Sequence, residues 1–265
     1  MNSPVVAHRE LPAPYLDAYY PVDDTEANVM DIWTEGWQRQ VNTMAVFHHL
    51  YNRAILGDAQ AQFEIGQMFQ YGIGVTPNDE SAIVFYQNAV QQQHLGAEYN
   101  LGVLYLKRAK TKQDYQLALD ELMDAAFKGN KNSQYVLAHV LEKGITSAEG
   151  VELIKADPQQ ANAMLYLAAA NDYGPAEYTL ANRLAMAPDD GSMQEKQQKN
   201  KLIRELYQGA AHRGIANALL PLAFYDAMDV DNKRQQRAFT TAKELAEAGN
   251  EKAALLLGLL LDRGI

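Results

Sequence analysis

With 265 residues, 48% of them hydrophobic and 21% charged, the chain has the composition of an ordinary globular protein and enough apolar material for a sizeable core. A formal net charge of −10 with no basic cluster sets it against phosphate backbones and anionic bilayers, so neither nucleic acid nor membrane insertion is expected. The absence of cysteine removes disulfides, thiolate metal sites and a cysteine nucleophile.

Residues 1–23 read as a non-helical arm. Four of the nine prolines fall in residues 1–22, next to Tyr15, Tyr19 and Tyr20, and proline opposes helix. Such an arm is either a disordered leader or a strap laid on the body through Leu16, Tyr19 and Tyr20. The first residues lack an apolar signal core and a cleavage pattern, and no window approaches the length of about eighteen apolar residues that a spanning helix needs. Two compartments stay open: the periplasm, if an export signal has been removed, and otherwise the cytoplasm.

Residues 24–56 read as capping helices. Asp24 or Thr25 can cap a helix on which Val29, Trp33, Trp37 and Val41 share one face at i+4 spacing. A second helix is expected near 43–56, ended by Gly57.

From residue 57 onward the sequence repeats. Aliphatic–small pairs recur at Ile65-Gly66, Leu101-Gly102, Leu137-Ala138, Leu180-Ala181, Leu222-Ala223 and Leu257-Gly258, at intervals of 36, 36, 43, 42 and 35 residues. Two residues before each pair stands Phe63, Tyr99, Tyr135, Tyr178, Leu220 or Leu255; four before stands a small residue such as Ala61 or Ser133. Between these units run small residues at Ala89, Ala125, Ala168, Ala210 and Ala246, with terminating glycines at Gly129, Gly214 and Gly249. Both patterns have helical spacing. They predict A helices near 59–71, 95–108, 131–143, 175–186, 215–227 and 250–262. B helices are predicted near 79–92, 113–128, 158–171, 196–213 and 232–248. A single pair cannot bury its own apolar face, so neighbouring pairs must stack. Two A–B turns are long, residues 144–158 and 187–200, and loops on one edge suit partner binding as well as mere tolerance of length. The last A helix is rich in leucine. Leu256, Leu259 and Leu260 are marked there as an end contact, with self-association as one outcome.

The first copy reads GDAQAQFEIGQMFQYGIGVTPNDESAIVFYQNAV. It resembles the Sel-one-like repeat family, relatives of the tetratricopeptide repeats, through Ala59, Ala61, Ile65, Gly66, Phe69, the turn Gly72-Ile73-Gly74-Val75, Asp79, Ala82, Tyr86 and Ala89. Later copies depart from it: Arg108 replaces the first turn glycine, and Gly144-Ile145 and Gly264-Ile265 keep only its start. Over about residues 43–265 the resemblance implies an all-α, right-handed α–α superhelix of about five to six repeats. It further implies a non-enzymatic scaffold or adaptor for another protein or a peptide segment, in a bacterial envelope, secretion or signalling assembly. In the tetratricopeptide relatives the fifth position of helix A faces the groove. That likeness places Phe63, Tyr99, Tyr135, Tyr178, Leu220 and Leu255 in a ladder, with Gln67, Val103, His139, Asn182 and Phe224 in a second row. Two readings of the ladder stand, packing between A helices or a binding surface, and the exposure of the tyrosine hydroxyl ends separates them.

A search for chemistry returns no catalytic constellation, cofactor loop or metal set. There is no HExxH or P-loop. His8, His48, His49, His94, His139 and His212 fit surface or packing roles. Asp229-Val230-Asp231-Asn232 lacks the glycine and glutamate of a calcium loop, and Asp231 as a helix cap is the simpler reading. Asp189-Asp190-Gly191 reads as a turn. Two other functions remain as alternatives: a peptidoglycan- or glycan-binding module, because tyrosines stack on sugars, and a hydrolase of the beta-lactamase type, which no serine–lysine or metal arrangement supports.

Overall fold

The computed structural model describes residues 36–265 except residue 189, with side chains from residue 45 onward. The expected arm and the caps around Val29 and Trp33 lie outside the described residues. The chain divides into two compact units, Met1–Met164 and Leu165–Ile265.

The first unit contains α1 (Gly36–Ile55), α2 (Ala59–Tyr71), α3 (Asp79–Val90), α4 (Leu95–Arg108), α5 (Lys112–Phe127) and α6 (Lys131–Lys143), then a hairpin of β1 (Ile145–Thr146) and β2 (Glu152–Ile154). Helix α7 (Pro158–Ala170) spans the division. The second unit continues with α8 (Gly174–Met186), α9 (Met193–His212), a 3-10 turn Ala216–Ala218 leading into α10 (Leu219–Ala227), α11 (Asn232–Glu247) and α12 (Glu251–Asp262). The even-numbered helices are the predicted A helices and the odd-numbered ones from α3 the predicted B helices.

One residue builds each turn from B to A. The backbone N–H groups of Asp58, His94, Asn130, Tyr173, Ile215 and Asn250 donate to carbonyls five residues back, at Arg53, Ala89, Ala125, Ala168, Ala210 and Leu245, which closes the helix before it. The side chains of Asp58, His94, Asn130 and Asn250 then cap the next helix by accepting from Ala61, Ala97, Ser133 and Ala253. The residue just before each of these has positive φ. Glycine fills that place at Gly57, Gly129, Gly214 and Gly249, but Gln93 (63°) and Asp172 (58°) also adopt it, and neither residue type announces such a turn.

Within a pair, small residues set the approach. A Cβ on Gly66 would lie 2.5 Å from the Tyr86 ring, and one on Gly102 would lie 2.7 Å from Leu122. Helices α3 and α5 therefore each seat a large side chain on a glycine of their A helix. Tyr86 is fully buried, in a core with Ala82, Ala89, Ala97, Leu101 and Leu104. Its hydroxyl donates to Gln70 at 2.6 Å and accepts from Asn100 at 3.2 Å. In the second unit Tyr207 takes the equivalent place beside Ala181, Ile203, Ala210, Ala218 and Leu222. A further cluster joins Ala223, Ala227, Ala238, Ala242, Leu256 and Leu260.

Three local features differ from the expectation. The 144–158 segment is not a plain loop: β1 and β2 pair antiparallel, with Ile145 opposite Ile154. Gly144 has φ +65°, and a Cβ there would meet the Ile154 carbonyl at 2.4 Å. The second long turn is shorter than expected. Ser192 and Glu195 form a capping box that starts α9 at Met193, and such reciprocal bonds satisfy two otherwise orphaned donors. The fifth A helix enters as a 3-10 turn, with Pro221 in the first turn of α10, where its missing N–H costs nothing.

Candidate functional site

The ladder splits by burial. Tyr99 and Tyr135 are each only 7% exposed, so in the first unit they pack between helices and are not open rungs. Phe63 is half-buried; its ring stacks on His94 at 4.5 Å and lies 6.1 Å from Tyr86. In the second unit Tyr178 and Leu220 are half-buried, Tyr178 lying 6.1 Å from Tyr207, while Leu255 is exposed. The second row is half-buried throughout: Gln67, Val103 and His139 on α2, α4 and α6, and Asn182 and Phe224 on α8 and α10. His139 sits edge-on to Tyr135 at 4.5 Å. Asn182 accepts from the Tyr207 hydroxyl at 2.7 Å, and burial among tyrosines pushes that hydroxyl up to about 12, so it stays a donor. At the last helix, Leu256 and Leu260 turn into the core, 3% and 1% exposed, and of the three marked leucines only Leu259 faces outward.

Sequence reasoning missed a recurring buried polar position. Gln62, Glu98, Gln134 and Glu177 each stand three residues before the aliphatic–small pair, and all are buried. Each ties its A helix to neighbouring helices. Gln62 donates to the Ala54 carbonyl at 3.0 Å and accepts from Gln92 at 2.8 Å. Gln134 donates to the Ala126 carbonyl at 2.9 Å. Glu98 pairs with Lys128, and both Glu177 oxygens accept from Arg213 at 3.2 Å. Burial pushes the Glu177 carboxyl up, and Arg213 opposes the shift. Just past three of the B helices a polar residue answers the A-helix residue, Gln92 to Gln62, Lys128 to Glu98 and Arg213 to Glu177. A polar letter recurring among apolar ones was the available signal.

His94 is a titrating cap. Its Nδ1 accepts from the Ala97 N–H at 3.1 Å and its Nε2 faces Gln60 Oε1 at 3.0 Å, an arrangement that needs Nδ1 unprotonated. Burial holds its proton affinity below the ordinary histidine value, opposed by a hydrogen bond with its own backbone and by the charge of Glu64. The unfolded chain therefore takes up the proton first. The stability this group contributes is complete above about pH 6.5 and is lost as pH falls toward the lower folded value. Thermal melts should show His94→Asn, which keeps a capping oxygen, losing less stability between pH 7 and pH 5 than the parent; parallel curves would contradict the assignment.

A shallow cavity of about 710 Å³ lies in the first unit beside the hairpin, lined in part by Lys112, Gln116, Leu141, Ile154 and Lys155. Among the described residues no group of three or more His, Cys, Asp or Glu is placed to hold a metal ion, and no helix is long and apolar enough to cross a membrane.

The Sel1 repeat profile matches residues 59–94, 96–120 and 132–173, which correspond to the pairs starting at α2, α4 and α6. The chain is 29% identical over 143 residues to chitin synthase regulatory factor 2 of Schizosaccharomyces pombe, covering 51% of this chain and 27% of that protein. The structure is similar to a Sel1 repeat protein from Oxalobacter formigenes, with TM-score 0.64 and 22% identity over 81% of this chain and 59% of that one. It is also similar to c5321, a protective antigen of uropathogenic Escherichia coli with an SLR fold: TM-score 0.60, 25% identity, 90% of this chain and 48% of that one. The chain thus spans about a quarter of the curated relative and about half of these solved chains. Sel1 repeats are non-enzymatic helical scaffolds that generally mediate protein–protein interaction. The chain thus carries Sel1 repeats within residues 59–173, and its helix pairs give it an all-α solenoid fold like that of these Sel1 and SLR structures.

Proposed function

We propose that this protein is a non-enzymatic scaffold or adaptor that binds a partner protein or peptide on its A-helix face, with the second row of the first unit as the reading edge. The carrying observation is a contrast within one set of helices. The fifth-position tyrosines Tyr99 and Tyr135 are buried and nearly uniform, as packing requires, whereas Gln67, Val103 and His139 are half-buried and differ from repeat to repeat. Variation at an accessible position of a fixed scaffold suits recognition. Gln67 offers a donor and an acceptor to an extended backbone, and Val103 offers apolar area beside it. In the second unit Phe224 gives the same row an apolar contact, while Asn182 has its carbonyl committed to Tyr207.

The test begins with partners captured by the wild-type chain from its native cells and identified by mass spectrometry. Combined Gln67→Ala, Val103→Ala and His139→Ala should weaken the captured complex by about tenfold or more, as loss of a central contact cluster does, with an unchanged circular dichroism spectrum. Undiminished binding by this variant would remove the face from the account, and retention on purified peptidoglycan without protein capture would put the glycan-binding reading in its place.

A further inference from the structure

The hairpin is an addition to the repeat. The interval between aliphatic–small pairs is 36 residues up to Leu137 and 43 from Leu137 to Leu180, and β1 and β2 fall within that longer interval. The two pairs before it stack without such an addition. The hairpin is also held firmly. Its tip is closed by Ser147, whose N–H donates to the Val151 carbonyl at 2.8 Å and whose hydroxyl accepts from the Val151 N–H at 3.2 Å. Its base is pinned by the Asp157 N–H, which donates to the Leu141 carbonyl on α6 at 2.8 Å. A wall fixed in advance spares a ligand the cost of ordering a loop.

This wall borders the cavity of about 710 Å³, within the range of roughly 300–1,000 Å³ common for ligand sites. On α5, Lys112, Gln116 and Leu119 line it at i, i+4 and i+7, a single helical face. Leu141 and Ile154 are buried, while Leu119 and Leu153 are half-buried and leave apolar surface open. Lys112 and Lys155 are exposed, and neither has a carboxylate partner among the described residues. By contrast Arg53, Arg108 and Lys128 of the same unit pair with Asp58, Glu80 and Glu98. Asp157, the one acid of the lining, caps α7 by accepting from the Gln160 N–H at 2.9 Å. The start of α7 also lines the cavity, and the positive end of a helix favours an anion. In a chain of net charge −10, two unpaired lysines beside open apolar surface invert the sign locally.

We propose that this cavity binds an acidic peptide segment of a partner protein, its carboxylates taken by Lys112 and Lys155 and an apolar side chain laid on Leu119 and Leu153. Charge complementarity selects the acid and sets the approach, and the apolar lining selects what stands beside it. The overall negative charge repels acidic segments elsewhere on the surface, which confines them to this place. The site shares no residue with the second row Gln67, Val103 and His139, so the two surfaces succeed or fail separately.

The probe is a labelled, end-blocked hexapeptide, Ser-Leu-Glu-Glu-Leu-Ser, titrated against the 265-residue chain by fluorescence anisotropy at low salt. Saturable binding is expected. It should weaken by about tenfold or more with Lys112→Glu and Lys155→Glu combined, because like charges then face each other. Lys233→Glu with Lys252→Glu makes the same change of charge at exposed positions of the second unit and should leave the affinity within about twofold of the parent, as expected for charges more than a Debye length away. A peptide with both glutamates replaced by glutamine, or both leucines by serine, should bind more weakly than the original. All four lysines are exposed, so circular dichroism of both variants should match the parent. Equal losses in the two double variants would overturn the proposal in favour of net charge alone. No saturable binding up to about 1 mM peptide would also overturn it, as would equal binding of the glutamine peptide. Free glutarate binding as tightly as the peptide would overturn it in favour of a small dicarboxylate.

Discussion

Tyr86→Ala is expected to destabilise the first unit by about 3–5 kcal/mol, the range for deleting a buried aromatic side chain. The ring is fully buried on Gly66, and a stiff helix pair cannot collapse onto the space it leaves. Its hydroxyl also joins Gln70 on α2 to Asn100 on α4, so truncation leaves Asn100, 7% exposed, short of a partner. Chemical denaturation followed by circular dichroism measures the loss. Tyr86→Phe separates the two contributions: it keeps the packing and should cost about 1–2 kcal/mol, the scale of a buried hydrogen bond left half-made. Equal losses for the two variants would contradict the knob-on-glycine account.

Arg237→Ala is expected to cost the second unit about 3 kcal/mol, the lower end of the range for stripping the partner from a buried charge. Asp226 on α10 is 1% exposed, and its oxygens accept from Arg237 Nε at 2.7 Å and Nη2 at 3.0 Å. The Arg237 side chain is itself 45% exposed, which allows water to reach the remaining carboxylate and places the effect below the upper end. The double change Asp226→Leu with Arg237→Met should recover most of the loss, because an apolar pair of similar volume has no desolvation cost to offset. A double variant as unstable as Arg237→Ala would mean that packing at α11, and not the orphaned charge, sets the energy.

The helices were readable in the sequence because their packing is written in residue size. Ala61, Gly66, Ala89 and their counterparts recur where two backbones approach, and only small residues fit there, so the repeat located the A and B helices to within about three residues. Gly57, Gly129, Gly214 and Gly249 announce their turns for a different reason, the positive φ that glycine adopts without strain. Gln93 and Asp172 gave no such sign, since the turn is imposed on them by the helices either side and by the 6→1 hydrogen bond that closes it. The hairpin at 145–154 leaves no trace in the sequence, because two strands of two and three residues give no measurable alternation. Ser192 and Glu195 do carry a capping signature, but it lies inside a polar run that has the composition of a long turn.

The candidate site was readable only in part. Spacing placed Tyr99 and Tyr135 on the A-helix face, but a period does not say which edge of a face is covered, and the neighbouring helices bury them. Leu256, Leu259 and Leu260 were grouped by composition; the helical turn sends Leu256 and Leu260 inward and leaves Leu255 and Leu259 outside. The clamp built on Gln62, Glu98, Gln134 and Glu177 depends on partners in other helices, and no single-helix pattern reveals it.

The A-helix face is the central claim, and site-specific photocrosslinking tests it most directly. A photoreactive phenylalanine derivative at Gln67 on α2 should crosslink to the captured partner, whereas the same group at Val84, which is 54% exposed on the B helix α3, should not. Crosslinking from Val84 with none from Gln67 would contradict the account.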